Sequence, residues 1–263
     1  MKFNLKVIGN IIGILLLING LLMLTAVPFG IYHGEGSWKG ILVASLVNSV
    51  IGFILYYNTK DNENKELKRR DGYLIVILSW IAMSLFGMLP YIFTDQISNV
   101  PDAFFETVSG YTTTGASILN DIEILDHGIL YWRSLTQWIG GMGIIVLAVA
   151  ILPFLGIGGM QLFVAEAPGV SVDKLQPRIK ETAMRLWQIY ISFTVVLFFI
   201  LWAEGMNSFE AVNHAMTTFA TGGFSTKNAS IGYFESPLIM HLKGIFSLVL
   251  NLLPSTKINP EPL

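Results

Sequence analysis

Five long apolar stretches constrain this chain more than any other feature of its sequence. A helix needs about 20 apolar residues to cross the hydrocarbon core of a bilayer, which is about 30 Å thick. Stretches of that length lie at residues 7–32, 40–57, 72–93, 129–155 and 186–203. The sequence therefore predicts an all-α polytopic membrane protein.

Two further apolar features carry weaker expectations. Residues 238–253 are interrupted by His241 and Lys243, and the uninterrupted part is too short to span. Residues 7–32 follow two lysines, as a signal peptide would. They exceed the usual signal length of about 7–15 apolar residues, and no good A-x-A cleavage site follows, so we expect a retained anchor.

The composition excludes several classes of protein. Charged residues make up 13% of the 263, about half the share of a soluble domain, and the net charge is −2. A soluble enzyme, a disordered chain and a nucleic-acid binder are therefore disfavoured. The chain has no Cys, its four His show no metal-ligand spacing, and no catalytic elbow or acid–base pair is evident. We expect no enzymatic activity and no cofactor.

The basic residues predict the orientation. With the N-terminus in the cytoplasm, 11 of the 16 Lys and Arg fall inside, 3 fall outside and 2 are unassigned. The cytoplasmic loops are then residues 59–71 and 156–185, the latter either a docking surface for a cytosolic partner or a plain connector. The outer segment 94–128 holds six acidic residues and no Lys or Arg. It either concentrates cations or merely reflects the scarcity of basic residues outside.

The two predicted outer segments repeat each other. Residues 102–117 align with residues 210–225 at an offset of 108, without a gap. The identical pairs are Ala103/Ala211, Thr113/Thr221, Gly115/Gly223 and Ser117/Ser225. Each copy lies between two apolar stretches, so the repeated unit is a span, a short segment and a span back.

Each copy is predicted to contain a half-length helix, at residues 101–111 and 208–219. Pro101 suits a first helical turn, and Ser208 is predicted to be an N-cap. Eleven residues rise about 16 Å, roughly halfway into the membrane. The chain must then turn back as a re-entrant loop, and non-helical backbone at that depth survives only when protein buries it or it lines a water-filled path.

The residues after each short helix suit a cation. Glycine adopts backbone angles that can aim carbonyl oxygens at an axis, and rings of carbonyls replace the hydration shell of a potassium-sized ion. A helix C-terminus adds its negative dipole end, and Thr hydroxyls can add oxygens or brace the loop. The candidate residues are Thr112, Thr113, Thr114, Gly115, Ala220, Thr221, Gly222 and Gly223. The alternative is that these are ordinary turn residues.

Three motifs carry a family resemblance: residues 109–117 (SGYTTTGAS), 131–143 (YWRSLTQWIGGMG) and 220–226 (ATGGFST). With them the chain resembles the Trk/Ktr/HKT superfamily of potassium transporters, specifically the bacterial TrkH-type membrane subunit. The resemblance implies potassium-channel-like span–pore helix–span repeats with re-entrant filter loops, and one filter Gly per unit. Those positions correspond to Gly115 and Gly223, the potassium pattern.

The same resemblance implies an organisation and partners. Residues 1–58 would be two extra N-terminal transmembrane helices, residues 72–155 a first repeat, and residues 186–263 a second, truncated repeat. Members are homodimers in the bacterial cytoplasmic (inner) membrane and bind a cytosolic nucleotide-binding RCK-type subunit. Because only two of four units are present, either the chain is truncated or two copies combine.

Three further groups of residues near the predicted filter have expected roles. Glu106 either attracts cations or, as we favour, supports the filter from behind, since its repeat equivalent is His214. Arg133 is expected to form a structural ion pair with Glu106 or Asp126. The glycines of the 140–143 segment either allow a bend or permit close helix packing, and we favour packing.

Two other functions stay open on the sequence. A secondary transporter with broken helices would move a solute with sodium or protons. A truncated fragment would conduct nothing.

Overall fold

The computed structural model of the protein describes residues 4–60, 69–155 and 175–234. Within these ranges the regular elements are helices: α1 Leu5–Leu24, α2 Val27–Tyr32, α3 Ser37–Thr59, α4 Arg69–Gly87, α5 Leu89–Phe93, α6 Val100–Tyr111, α7 His127–Leu155, α8 Leu175–Ala203 and α9 Ser208–Phe219, followed by a short 3-10 turn at Ser230–Tyr233. The weak apolar stretch at residues 238–253 lies outside the described residues.

The long helices coincide with the predicted spans. Four segments of the described chain are long and apolar enough to cross a membrane: Leu5–Tyr32, Ser37–Thr59, Asp71–Phe93 and Met184–Ala203. The fifth predicted stretch lies in α7, a continuous helix of 29 residues. Proline stands in the first turn of both α2 and α5. Proline lacks an N–H and fixes φ, which explains why the first and third spans are each divided near one end.

The first two spans form a close helical hairpin. A Cβ on Gly13 of α1 would lie 2.7 Å from the backbone nitrogen of Tyr56, and one on Gly52 of α3 would lie 2.7 Å from that of Leu17. Ser45 also donates a hydrogen bond to the Gly20 carbonyl, at 2.7 Å. Small residues let the two backbones approach, which is how helices associate where no hydrophobic force drives them together in lipid.

Two short helices, α6 and α9, interrupt the alternation of long ones. Each has 12 residues and follows a long helix. The non-helical segments after them, residues 112–117 (the first loop) and residues 220–225 (the second loop), lie next to α7. Tyr111 at the end of α6 is fully buried and donates a hydrogen bond to Asn19 Oδ1 of α1, at 2.6 Å. The N-terminal hairpin therefore helps to hold the first short helix.

Large buried side chains of α7 and α5 share one apolar cluster. Trp132 of α7 is fully buried, and its indole nitrogen donates to the Gly87 carbonyl of α4 at 2.9 Å. Ile129 of α7 and Tyr91 of α5 are also fully buried in this cluster. α7 is thus the element against which the other parts of the site are positioned.

Candidate functional site: two equivalent loops beside helix α7

The two short helices begin in slightly different ways. Pro101 stands in the first turn of α6, as predicted. In α9 the N-cap is Asn207, whose side chain accepts a hydrogen bond from the Glu210 backbone nitrogen at 2.8 Å. The prediction that Ser208 is the N-cap is therefore wrong by one residue. Asn207 has the extended backbone of a cap (ψ 161°), whereas Ser208 is already helical.

The two helices end in the same way. The nitrogen of Thr113 donates to the Gly110 carbonyl at 2.9 Å, and the nitrogen of Thr114 to the Ser109 carbonyl at 3.0 Å. The equivalent bonds of α9, from Thr221 to Thr218 and from Gly222 to Thr217, are both 3.0 Å long; Thr218 and Thr217 are the repeat equivalents of Gly110 and Ser109. This pair of bonds is the Schellman motif, which satisfies the last carbonyls of a helix.

The residue in the left-handed position of each motif is threonine. Thr113 has φ 55° and Thr221 has φ 54°. Glycine normally occupies this position, because a left-handed conformation costs roughly 1–2 kcal/mol for a residue with a Cβ. Two residues further on, Gly115 (φ 75°) and Gly223 (φ 80°) also adopt positive φ. The two loops therefore share one unusual backbone conformation, and such strain concentrates at functional sites.

The first and second loops touch each other. A Cβ on Gly115 would overlap the carbonyl oxygen of Gly222. By contrast, a Cβ on Gly223 would meet nothing within 4 Å among the residues described. Both the backbone angle and the packing therefore require glycine at position 115, whereas the backbone angle alone favours it at position 223.

Consecutive glycines of α7 receive the ends of both short helices. A Cβ on Gly140 would overlap the Tyr111 carbonyl at the end of α6, and one on Gly141 would lie 3.0 Å from Ala220 Cα at the end of α9. A Cβ on Gly143 would lie 4.0 Å from Trp80, an ordinary contact. α7 is continuous here. Gly140 and Gly141 therefore serve close packing, the reading that we favoured over a bend.

Glu106 supports the first loop from behind. Its carboxylate is fully buried and accepts hydrogen bonds from Ser117 Oγ at 3.0 Å and from the Ile118 nitrogen at 3.1 Å. Arg133 Nε donates to the same carboxylate at 2.6 Å. The predicted ion pair of Arg133 is confirmed, with Glu106 as its partner. These donors account for both carboxylate oxygens, as expected of a supporting group.

Arg133 also reaches the second loop. Its NH1 group donates to the Ser225 carbonyl at 3.0 Å, and its guanidinium lies 3.8 Å from the centre of the Phe224 ring. A buried charge needs several partners, and a guanidinium can serve two directions at once because its donors form a planar fork. One side chain of α7 therefore links the two repeated units.

His214 stands where Glu106 stands in the first unit, but it carries no charge. Burial and the positive charge of Lys227 lower the pKa of His214 to about 4, so the imidazole is neutral at pH 7. Its Nε2 lies 3.5 Å from Thr226 Oγ1, a weak contact. The second unit has the same loop conformation without a carboxylate at this position.

The threonine hydroxyls brace the first loop. Thr112 Oγ1 donates to the Val108 carbonyl at 2.8 Å and lies 2.8 Å from Thr114 Oγ1. Thr112 and Thr114 are exposed, and Thr113 and Gly115 are partly exposed. In the second loop Thr221 and Gly223 are exposed, whereas Ala220 and Gly222 are buried. The structure thus brings all eight candidate residues into one contiguous region.

Two polar residues of this region were missed by the sequence reading. Gln137 of α7 is fully buried, and its Oε1 accepts a hydrogen bond from the Phe224 nitrogen at 3.1 Å. Asn228, just after the second loop, accepts from the Ile122 nitrogen at 2.7 Å and donates to Asp121 Oδ1 at 2.8 Å. A lone amide within an apolar stretch was the available signal for Gln137, and for Asn228 it was the identical Asn120 at the offset of 108.

The fold and this region define a class: a polytopic helical membrane protein with two equivalent re-entrant helix–loop units. Residues 39–252 match the TrkH family, described as cation transport protein, and the chain belongs to that family. It is 47% identical over 247 residues to the Trk system potassium uptake protein TrkH of Salmonella typhimurium, covering 93% of this chain and 51% of that relative.

A further relative and a solved structure are also similar to the chain. The Trk system potassium uptake protein TrkG of Escherichia coli is 37% identical over 94% of this chain and 51% of its own length. The crystal structure of the potassium transporter TrkH from Vibrio parahaemolyticus superposes with a TM-score of 0.82 at 39% identity, covering 94% of this chain and 50% of that one. The chain spans about half the length of the relatives it matches.

Proposed function

We propose that this chain supplies two of the four sides of a potassium-selective path for uptake across the bacterial cytoplasmic membrane. The observation that carries the proposal is the duplicated loop conformation, with left-handed Thr and Gly at equivalent positions of two touching loops. Such a backbone presents carbonyl oxygens where an ion can replace its hydration shell. The relatives named as potassium uptake proteins support the same reading.

The proposal assigns roles to the candidate residues. Backbone and hydroxyl oxygens of Thr112, Thr113, Thr114 and Gly115 form one side of the filter, and those of Ala220, Thr221, Gly222 and Gly223 form the next. Glu106 and Arg133 act as supports, since each is buried and paired. Potassium is the transported ligand, and no further cofactor is required.

The sequence and the family support a proposal for the organisation, orientation and partners of the chain. Residues 1–58 form the extra hairpin, residues 72–155 the first repeat, and residues 186–263 part of the second. The N-terminus and the loops 59–71 and 156–185 lie in the cytoplasm, as the distribution of Lys and Arg indicates. The assembled transporter is a homodimer that docks an RCK-type nucleotide-binding subunit on its cytoplasmic face.

The filter assignment is tested in a full-length chimera, in which residues 4–234 of this chain replace the matching part of the Vibrio parahaemolyticus protein. We expect the chimera to restore Rb⁺ uptake to potassium-uptake-deficient cells. Gly115→Ser is expected to lower the preference for potassium over sodium, because the added side chain overlaps the Gly222 carbonyl. An unchanged preference would overturn the assignment of the filter.

Two further measurements address the other functions. Single Cys residues at positions 113 and 221 should both react from the outer face, and the chain has no native Cys to interfere. Reaction from opposite faces would favour a secondary transporter with inverted repeats. The purified 263-residue chain in liposomes should show no selective flux, because two loops do not encircle an ion.

A further inference from the structure

Gln137 is buried between the two loops, and its amide is only half used. The side chain is fully buried. Its oxygen accepts from the Phe224 nitrogen at 3.1 Å, but its nitrogen has no hydrogen-bond partner among the described residues. A buried amide that lacks a partner costs free energy, so its presence calls for an explanation.

The acceptor end of this amide fixes the second loop. Phe224 directly follows Gly223, whose φ of 80° turns the chain. A backbone nitrogen at such a turn has no helical or strand partner, and Gln137 Oε1 supplies one from the neighbouring unit. Because α7 belongs to the first unit, the bond sets where the second loop lies relative to the first.

The packing of the Gln137 side chain explains why residue 222 is glycine. A Cβ on Gly222 would overlap the Gln137 side chain. Gly222 is not among the residues with positive φ, unlike Gly115 and Gly223. Its small size is therefore a matter of packing on Gln137. At the equivalent position of the first loop stands Thr114, which is exposed.

The donor end faces the first loop. Gln137 Nε2 lies 3.8 Å from the point where a Cβ of Gly115 would stand, and that same point overlaps the Gly222 carbonyl oxygen. The unpaired Nε2 donor therefore lies close to both Gly115 and Gly222. Backbone carbonyls are the acceptors available in such a place.

We propose that Gln137 is a positioning residue that sets the separation of the first and second loops, and thereby the selectivity of the ion path between them. It holds the second loop through Phe224 and Gly222, and it presents its amide donor to the first loop. The role rests on the function proposed above. It differs from that of Arg133, which joins the same units through a charge behind the loops.

The test uses the full-length chimera and two variants of Gln137. Gln137→Leu removes both ends of the amide, and Gln137→Glu keeps the acceptor for Phe224 but removes the donor. We expect Gln137→Leu to lower the potassium-over-sodium uptake ratio by roughly tenfold, as contacts within one network are strongly coupled. Gln137→Glu should also lower the ratio, because it buries a negative charge beside the first loop, with no partner for its second oxygen among the described residues. The matched control is Ser134→Ala on the same helix, where the hydroxyl donates to the Leu130 carbonyl of α7 and to no other group in the described ranges.

A double-mutant cycle tests the contact itself. Gly222→Ala should reduce Rb⁺ uptake about tenfold when Gln137 is present, but have little further effect in a Gln137→Ala background, where the added methyl has room. An equal effect of Gly222→Ala in both backgrounds would overturn the inference. So would a potassium-over-sodium ratio that Gln137→Leu leaves unchanged while protein abundance is normal.

A readout without transport separates this inference from the proposed function. Potassium that binds the folded protein raises its melting temperature in detergent, by an amount that grows with the logarithm of ion concentration relative to Kd. We expect the potassium-specific increase over sodium to be present in the chimera and lost in Gln137→Leu. If the unmutated chimera itself showed neither uptake nor a potassium-specific increase, the proposed function would fail. If the unmutated chimera showed both and Gln137→Leu behaved in the same way, the proposed function would stand and the role of Gln137 would fail.

Discussion

The first and second units share a loop conformation but differ in what holds the loop. The φ angles of Thr113 and Thr221 agree within 1°, and both helices end in the same pair of hydrogen bonds. Behind the first loop lies a charged carboxylate, Glu106, whereas the second loop has a neutral imidazole, His214. The two loops therefore reach one conformation with different side chains behind them, and the position of each loop depends on contacts that the repeat does not duplicate.

Breaking the charged support should produce the largest difference between the units. Glu106→Gln leaves the Arg133 guanidinium buried without its anion, and such a change costs about 3–5 kcal/mol. The equivalent change in the second unit, His214→Gln, removes one weak contact and should cost about 1 kcal/mol. Denaturant unfolding of the purified chimera measures both. Equal losses of unfolding free energy would show that the ion pair stabilises the first unit no more than the His214 contact stabilises the second.

The two filter glycines should respond unequally to a methyl group. Gly115→Ala adds an overlap with the Gly222 carbonyl to the strain of a positive φ, and we expect a loss of about 2–4 kcal/mol. Gly223→Ala meets no neighbour within 4 Å among the described residues, so strain alone should cost about 1 kcal/mol. The unfolding free energy and Rb⁺ uptake should rank the variants in the same order. The opposite ranking would contradict the observed contact between the loops.

The strained threonines should respond alike. Thr113→Gly and Thr221→Gly each relieve a left-handed conformation worth roughly 1–2 kcal/mol, offset by the greater entropy of an unfolded glycine. We expect each to stabilise the protein by about 0.5 kcal/mol and to lower ion selectivity. The measurements are the unfolding free energy and the potassium-over-sodium uptake ratio. A clear loss of stability in either variant would show that its side chain, rather than its backbone, dominates.

The smallest difference is expected beyond the loops. Asn228 bridges to Ile122 and Asp121, whereas its repeat equivalent Asn120 makes no hydrogen bond to the described part of the chain. Asn228→Ala should cost about 1 kcal/mol or less, because the bonds are exposed, and Asn120→Ala close to nothing. Thermal unfolding of the two variants, side by side, checks this. A larger loss of stability for Asn120→Ala than for Asn228→Ala would contradict the greater weight that the bridging bonds give to Asn228.

Several elements followed directly from sequence. The apolar stretches located the long helices because membrane thickness fixes their length, and the helix α6 starts within one residue of its predicted bound. The repeat at an offset of 108 paired residues that proved equivalent in backbone angle, such as Gly115 and Gly223.

Other elements could not be read from sequence. Threonine disfavours the left-handed conformation that Thr113 and Thr221 adopt, so local propensity argues against it. The N-cap was misplaced because Asn207 and Ser208 are both good caps and only the backbone angles decide between them. The contacts of Arg133 and Gln137 with the second loop cross 92 and 87 residues, and no local pattern encodes such pairs.

Those long separations have a consequence for biogenesis. Arg133 and Gln137 enter the membrane with α7, but their acceptor and donor in the second loop are synthesised about 90 residues later. At roughly 5–20 residues per second, the interval is about 5–20 seconds. During that time the newly inserted helix carries polar groups whose partners in the second loop do not yet exist, although Glu106, the ion-pair partner of Arg133, already does. The contacts of Arg133 and Gln137 with the second loop can therefore form only after the ribosome has synthesised that loop.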